Sequence, residues 1–149
     1  MYTFKKILVP VDGSEFSRNA ARLAISIAEK YQSQLTLIHV IAQSLNKISI
    51  RKGKPDNSIE EFGKLKKQGI EVLESVVAEL GNHDVNIEIL LSWGNPVDAV
   101  LEEVDKNDYD LLVMGSRGLG TIRGLLLGSV NEGISQKVNC PVLTVKALS

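Results

Sequence analysis

The sequence predicts an α/β protein with a single doubly wound, five-stranded parallel sheet, Rossmann-like, with helices on both faces. Two observations support this fold. Five short apolar runs alternate along the chain with four segments that have helical periodicity, and such alternation is typical of βαβ units. Right-handed crossovers leave few possible topologies, of which we expect the strand order 3-2-1-4-5. No repeat, low-complexity tract or linker interrupts the pattern, so we expect residues 1–149 to form one domain.

Each predicted strand is a short apolar run bounded by glycine, proline or polar residues. The runs are Lys5–Val11, Gln34–Ile41, Val85–Leu91, Leu111–Met114 and Pro141–Val145. Pro10 is unusual in the first run because proline cannot donate to a sheet ladder. It fits best at the end of the strand, where pairing stops.

The helices are predicted from apolar stripes and from caps. The first follows the turn Asp12-Gly13-Ser14, where Ser14 or Ser17 can serve as its cap. Its stripe comprises Phe16, Ala20, Leu23, Ala24, Ile27, Ala28 and Tyr31. The other three are a helix over Ile59–Leu80, a short helix capped by Asn95 with Pro96 at its first position, and a last helix that opens at Gly128-Ser129. The segment Ala42–Ser58 has no period and is typical of a mobile lid or binding loop.

Composition and charge exclude several classes of function. Lys+Arg is 17 and Asp+Glu is 18, and aromatic residues are 5% of the chain, so nothing favours a nucleic acid or a membrane as a partner. Cys140 is the single cysteine and cannot form a disulfide within the chain. There is no signal-peptide pattern and no apolar run near the ~20 residues that span a bilayer. We therefore expect a soluble, cytoplasmic protein.

The stretch from Asp108 to Val130 carries the strongest functional signal. A buried strand leads into glycines at 115, 118, 120 and 124, and Gly128-Ser129 then opens a helix. Glycines let a backbone approach phosphates closely, and the first turn of a helix offers unpaired N–H groups. In a doubly wound sheet this loop would face the Asp12 turn where the winding reverses, which predicts a nucleotide site. Neither a Walker loop nor a G-x-G-x-x-G first turn is present.

A different spacing does match. The pattern G-x-x-G, nine residues, then G-S begins at Gly115, and it stands with VPVDGSE near the start and CPVLTV near the end. In these motifs the chain resembles the universal stress protein family, and within it the branch that binds ATP. The resemblance implies an ATP, ADP or AMP ligand, with Mg²⁺ or Mn²⁺ held through the phosphates, and a homodimer formed by the last strands. It also implies that Asp12 contacts the ribose and that Val40 lies beside the adenine.

The resemblance further places Gly115 at the ribose and phosphates, and Gly118, Gly128, Ser129 and Val130 at the phosphates. Arginine suits phosphate geometry, so Arg117 is a further candidate. The predicted nucleotide site therefore comprises Pro10, Val11, Asp12, Ser14, Val40, Met114, Gly115, Arg117, Gly118, Gly128, Ser129 and Val130.

Simpler interpretations stay open for individual residues. Asp12 can cap a turn, and Ser129 with Glu132 can form a capping box. His39 fits strand packing, and Cys140 fits a small buried spacer. The last strand has an independent reason to pair with a copy of itself, since Val142–Val145 is a short, apolar, β-branched edge candidate.

No nucleophile–base pair stands out, so a dedicated enzyme is not the first interpretation. Three hypotheses follow: an ATP-binding regulatory protein of the stress response, a nucleotide-independent dimeric interaction module, and a slow ATP hydrolase.

Overall fold

The protein folds around one sheet of five parallel strands in the order β3-β2-β1-β4-β5, which confirms the predicted fold class and strand order. The structure is a computed structural model that describes residues 3–42, 58–117 and 128–146. The strands are β1 Lys6–Pro10, β2 Gln34–Ile41, β3 Ile87–Trp93, β4 Leu111–Gly115 and β5 Val142–Val145. Gly118 and nearly all of the segment Ala42–Ser58 lie outside the described residues.

Four helices cover the two faces of the sheet. They are α1 Glu15–Tyr31, α2 Ser58–Glu79, α3 Pro96–Asn107 and α4 Ser129–Lys137. Ile7 and Val9 pack in one core with residues of α1 and α2, whereas Leu8 packs in a second core with α3 and α4. Successive β1 side chains therefore point to opposite helical layers, as expected for a strand buried on both faces. No helix in the described ranges is long and apolar enough to cross a membrane.

Two details of the sequence prediction were wrong. Leu23 and Tyr31 were placed on the buried stripe of α1, yet they are 38% and 46% exposed. The buried face is instead built largely from alanines, with Ala21 and Ile25 taking those places. Small side chains let α1 lie close to the sheet. The helix is therefore rotated about its axis so that the alanines, and not the larger apolar side chains, face the sheet. The third strand also begins later than predicted, because its pairing with β2 starts at Ile87.

Trp93 ends β3 and stacks on Phe62 of α2, with ring centroids 4.5 Å apart and planes 12° from parallel. Trp93 therefore packs its ring against an apolar side chain of α2 at the end of β3.

Side chains join the amino ends of β1 and β4. The Asp110 carboxylate accepts the backbone N–H groups of Lys5 and Lys6 at 2.8 and 3.0 Å. The Lys6 ammonium lies 4.8 Å from the centre of the Tyr109 ring, and the Tyr109 hydroxyl donates to Glu103 at 2.9 Å. At this end, β1 and β4 are therefore held together by polar contacts, with the Tyr109 ring buried beneath them.

The backbone groups of alternate β1 residues point to opposite neighbouring strands. The Lys6 carbonyl accepts from Asp110 N–H on the β4 side at 2.9 Å, and Val11 N–H donates to Ile38 on the β2 side at 2.8 Å. Pro10 has the same parity as Lys6, so its backbone nitrogen lies on the β4 side. The donor that proline lacks is therefore one that would have paired with β4.

The two ladders of β1 stop at different points. The β1–β2 register runs to Pro10 opposite Ile38, whereas the β1–β4 register ends at Leu8 opposite Leu112. Pro10 is the last residue of β1, as predicted, but pairing with β4 has already ended at Leu8. The sheet consequently opens between its two central strands at the carboxyl end, where the winding direction reverses.

Candidate functional site

A cavity of about 750 Å³ lies over this opening. It extends across the carboxyl ends of the central strands, between α2 on one side and α3 and α4 on the other. Its volume is in the range of small-molecule sites. The predicted site residues that line it are Pro10, Val11, Asp12, Val40, Gly115, Arg117, Gly128, Ser129 and Val130. Ser14 and Met114 are not among the lining residues, and Gly118 lies outside the described part of the chain.

The Asp12 turn is held by hydrogen bonds to the start of α1. One carboxylate oxygen of Asp12 accepts from Ser14 N–H at 2.9 Å, and Asp12 N–H donates to the Ser17 hydroxyl at 3.2 Å. Gly13 has φ +85°, a conformation that suits glycine. Asp12 therefore does cap the turn, as the simpler interpretation holds, and the same residue lines the cavity.

Ser14 is the N-cap of α1. Its oxygen accepts from Ser17 N–H at 3.2 Å, and the residue is 7% exposed. The N-terminus of α3 is closed in the same way, since the Asn95 side chain accepts from Asp98 N–H at 3.1 Å. Both caps follow the prediction and satisfy one of the unpaired donors of the first helical turn.

The N-terminus of α4 is different. Gly128 is its N-cap and offers no side chain, so the first-turn N–H groups receive no side-chain cap there. The capping box predicted for Ser129 and Glu132 is wrong, because Ser129 is already the first helical residue and Glu132 N–H donates to the Gly128 carbonyl at 2.8 Å. Gly128, Ser129 and Val130 all line the cavity. A helix start of this kind favours an anionic ligand.

Gly115 ends β4 beneath the first turn of α1. A Cβ atom at this position would lie 2.7 Å from the backbone carbonyl carbon of Phe16. Contacts this short with backbone atoms cannot be relieved by rotating a side chain. Glycine is thus required at the wall of the cavity, and this close approach is a reason for the glycine that the sequence motif alone does not reveal.

The end of β2 presents backbone groups to the cavity. Ile38 bonds to β1 through its carbonyl, and the Ile41 carbonyl bonds to Gly94 N–H on the β3 side at 2.9 Å. By the same alternation, the N–H and C=O of Val40 face the β1 side, beyond the point where β1 ends. Val40 thus offers a donor and an acceptor next to each other at the cavity wall.

His39, interpreted from the sequence as a packing residue, is also a lining residue. Its Nδ1 donates to the Val11 carbonyl at 2.7 Å, so the imidazole holds the end of β1. Other lining residues that the sequence analysis did not identify come from facing helices, namely Leu65, Gln68, Gly69, Val72, Pro96, Val100 and Asn131. In the sequence, two of these residues could have been noticed as candidates: Asn131, a polar residue in the first turn of α4, and Gly69, a glycine inside α2.

Charge in the cavity is sparse. Among the described lining residues, Arg117 is the one permanently charged cation and Asp12 the one carboxylate. Within residues 3–42, 58–117 and 128–146, no three His, Cys, Asp or Glu side chains are grouped so that they could hold a metal ion. The described walls are therefore suited to hydrogen bonding and apolar contact more than to direct metal binding.

The comparisons with known proteins agree with this architecture. The universal stress protein family model matches residues 3–146. The universal stress protein YxiE of Bacillus subtilis is 32% identical over 147 residues, covering 96% of this chain and 99% of the relative. The chain therefore belongs to the universal stress protein family, as the sequence motifs imply.

Two solved structures extend the comparison. The structure of MJ0577, a protein of Methanocaldococcus jannaschii, superposes with a TM-score of 0.81 at 28% identity and covers 99% of both chains. A universal stress protein in complex with cAMP has a TM-score of 0.64 at 26% identity, with 97% of this chain and 98% of that chain covered.

Proposed function

We propose that this protein binds an adenine nucleotide in the cavity and acts as a regulatory homodimer of the cytoplasm in a stress response. ATP is the first candidate, with ADP and AMP as close alternatives. The observation that carries the proposal is the meeting of two kinds of polar group in one cavity. A strand end offers a donor beside an acceptor, and an uncapped helix start offers N–H groups to an anion.

The base and the ribose are assigned to the β1–β2 side. Purine edges pair with a donor and an acceptor placed side by side, which Val40 supplies through its backbone. Asp12 lies next along the cavity wall, and a carboxylate accepts hydrogen bonds from ribose hydroxyls. Pro10 and Val11 flank it at the end of β1. Ser14 enters the proposal through the cap that fixes this turn.

The phosphates are assigned to the β4–α4 side. Gly115 permits close approach, and Gly128, Ser129 and Val130 contribute first-turn N–H groups. Arg117 supplies a cation with the geometry that phosphate oxygens accept. Gly118 belongs to the same proposal through its motif position, and Met114 through the strand end that carries Gly115.

The ligand phosphates offer a divalent cation better partners than the side chains of the described residues do. The described residues offer no group of three metal-binding side chains, whereas Mg²⁺ commonly binds through substrate phosphates with few protein ligands. We therefore assign any Mg²⁺ or Mn²⁺ to the phosphates. The relative solved with cAMP supports an adenine ligand as the class.

The test is mass analysis of the nucleotide released from protein purified without added ligand. We expect an adenine nucleotide in stoichiometric amount, and its loss in Gly128→Val, where a branched side chain is placed at the helix start. Gly63→Ala is the matched control, because Gly63 is an exposed position of α2 and nothing lies within 4 Å of the added Cβ.

The alternatives have distinct outcomes. Absence of nucleotide, with no heat on titration of ATP and Mg²⁺, would overturn the proposal in favour of a nucleotide-independent interaction module. ADP that accumulates from ATP with time would instead indicate a hydrolase.

The homodimer is assigned to β5. This strand forms one edge of the sheet, and Leu143 on it is 36% exposed. Ser116 N–H donates to the Val145 carbonyl at 2.8 Å, so odd-numbered residues of β5 bond to β4. The backbone groups of Val142 and Thr144 therefore point away from the sheet and are available to a second copy.

Thr144→Pro tests this assignment, since it removes an outward N–H group and no ladder bond within the chain. We expect sedimentation equilibrium to show a dimer for the wild type and a monomer for the variant. Thr144→Val keeps the N–H group and should remain dimeric. A monomeric wild type at micromolar concentration would contradict the proposed dimer.

A further inference from the structure

Asn131 joins the start of α4 to the end of β4. It is the third residue of α4, it is half-buried, and it lines the cavity. Its side-chain amide donates a hydrogen bond to the carbonyl of Gly115, which is the last residue of β4. One residue further on, Gly128 N–H donates to the Ser116 carbonyl at 2.9 Å. Two neighbouring hydrogen bonds therefore connect the helix start to the strand end.

The Gly115 carbonyl needs such a partner. Leu112 N–H and Ser116 N–H donate to carbonyls of Pro141 and Val145, so the even-numbered residues of β4 face β5. Gly115 therefore faces the β1 side, where the ladder has ended at Leu112. A buried carbonyl left without a partner destabilises the fold. The Asn131 amide supplies that partner.

The side chain does not serve the helix itself. Polar side chains in a first turn commonly hydrogen-bond to their own helix start, but the Asn131 amide bonds to β4 instead. The contact thus fixes the direction of α4 relative to the sheet, and with it the direction of the first-turn N–H groups of Ser129 and Val130.

We propose that Asn131 is a positioning residue for the phosphate side of the cavity, which holds the first turn of α4 in place against the end of β4. This inference rests on the proposed function, because it names what orients the donors of that site. Asn131 acts through Gly115 and the helix start, and binding of the base on the β1–β2 side does not depend on it. Its loss should therefore weaken binding of phosphates and spare binding of the nucleoside.

The test compares adenosine, AMP and ATP with Mg²⁺ by titration calorimetry on wild type, Asn131→Ala and Asn131→Asp. Asparagine and aspartate have the same shape, but aspartate cannot donate and faces the Gly115 carbonyl with a negative charge. We expect the dissociation constant for ATP to rise roughly tenfold in the alanine variant and further in the aspartate variant, and that for adenosine to stay within about twofold. Ser135→Ala, exposed on the same helix, is the matched control.

A second readout needs no ligand. Hydrogen exchange at Gly128 N–H should accelerate in Asn131→Ala, because the neighbouring bond to Ser116 loses its support. Equal losses of affinity for adenosine and ATP, or unchanged affinity together with unchanged exchange, would overturn the role of Asn131. Wild-type protein that binds none of the three ligands would overturn the proposed function itself, and accelerated exchange would then show only a structural contact.

Discussion

The two ends of the β1–β4 pair are built in opposite ways. At the amino end, Asp110 accepts two backbone N–H groups of β1 and Tyr109 is buried beneath Lys6. At the carboxyl end, Pro10 lacks the donor that would continue the ladder, and the cavity begins there. Polar groups at the first end bond to each other away from the cavity, whereas those at the second end bond to each other and also line the cavity. We therefore infer that stability and the proposed ligand binding depend on opposite ends of the same two strands.

The largest expected effect is a loss of stability from a substitution at the carboxyl end, which shows that this end also contributes to stability. Gly115→Ala lies at the carboxyl end, yet we expect it to lower the free energy of unfolding by about 3 kcal/mol. The reason is that the added Cβ meets the backbone of Phe16 at 2.7 Å and must displace α1 or β4. Urea denaturation measures the change.

Gly63→Ala is the control for this substitution, since it should raise stability by about 0.5–1 kcal/mol in an open helical position. A Gly115→Ala protein as stable as the wild type would show that α1 and β4 can move apart at this point at little cost in stability.

The next effect concerns pH at the amino end. Burial raises the pKa of Tyr109 from 10.0 to about 12, and Glu103 adds to the shift. Between these values the unfolded chain has lost the tyrosine proton and the folded chain keeps it. Stability from this residue is therefore complete below about pH 10 and is lost as pH rises toward 12, by on the order of 2 kcal/mol.

Tyr109→Phe should flatten the alkaline part of the stability curve, as measured by denaturation at several pH values. Tyr31→Phe, at an exposed tyrosine, is the control. A steep alkaline loss that persists in Tyr109→Phe would assign it to another group.

The smallest effects compare the two ends directly. Asp110→Ala should lower the free energy of unfolding by about 1–2 kcal/mol and leave nucleotide affinity within twofold, because it removes the acceptor of two N–H groups far from the cavity. Ser129→Ala should change stability by no more than ~0.5 kcal/mol and weaken ATP binding roughly fivefold.

Denaturation measures the stability of each variant, and calorimetry measures its affinity for the nucleotide. If Asp110→Ala weakens binding as strongly as Ser129→Ala does, the two ends are coupled and the division is wrong.

The fold could be predicted from the sequence because its signals are local. Period-two and period-3.6 patterns, the caps Ser14 and Asn95, and the glycine spacing each depend on neighbouring residues. Cys140, interpreted from the sequence as a small buried spacer, is half-buried, and burial, and after it the charge of Asp110, raises the pKa of its thiol.

The parts that were missed depend on contacts between elements. The rotation of α1 is set by how closely alanines let it approach the sheet, and the Gly115 constraint comes from a helix that is distant in sequence. The role of Asn131 likewise requires the end of β4 to lie beside it. Ser129 shows the limit of motif reading, because the same four residues that spell a capping box begin one position too late to form it.

The stack of Phe62 on Trp93 gives the protein its own optical probe. Trp93 is the single tryptophan of the chain, and Phe62 belongs to α2, the helix whose Leu65, Gly69 and Val72 border the cavity. Emission from this indole is sensitive to the ring lying on it. A shift of α2 on ligand binding would change intrinsic fluorescence, which would then report occupancy of the cavity in solution without any label.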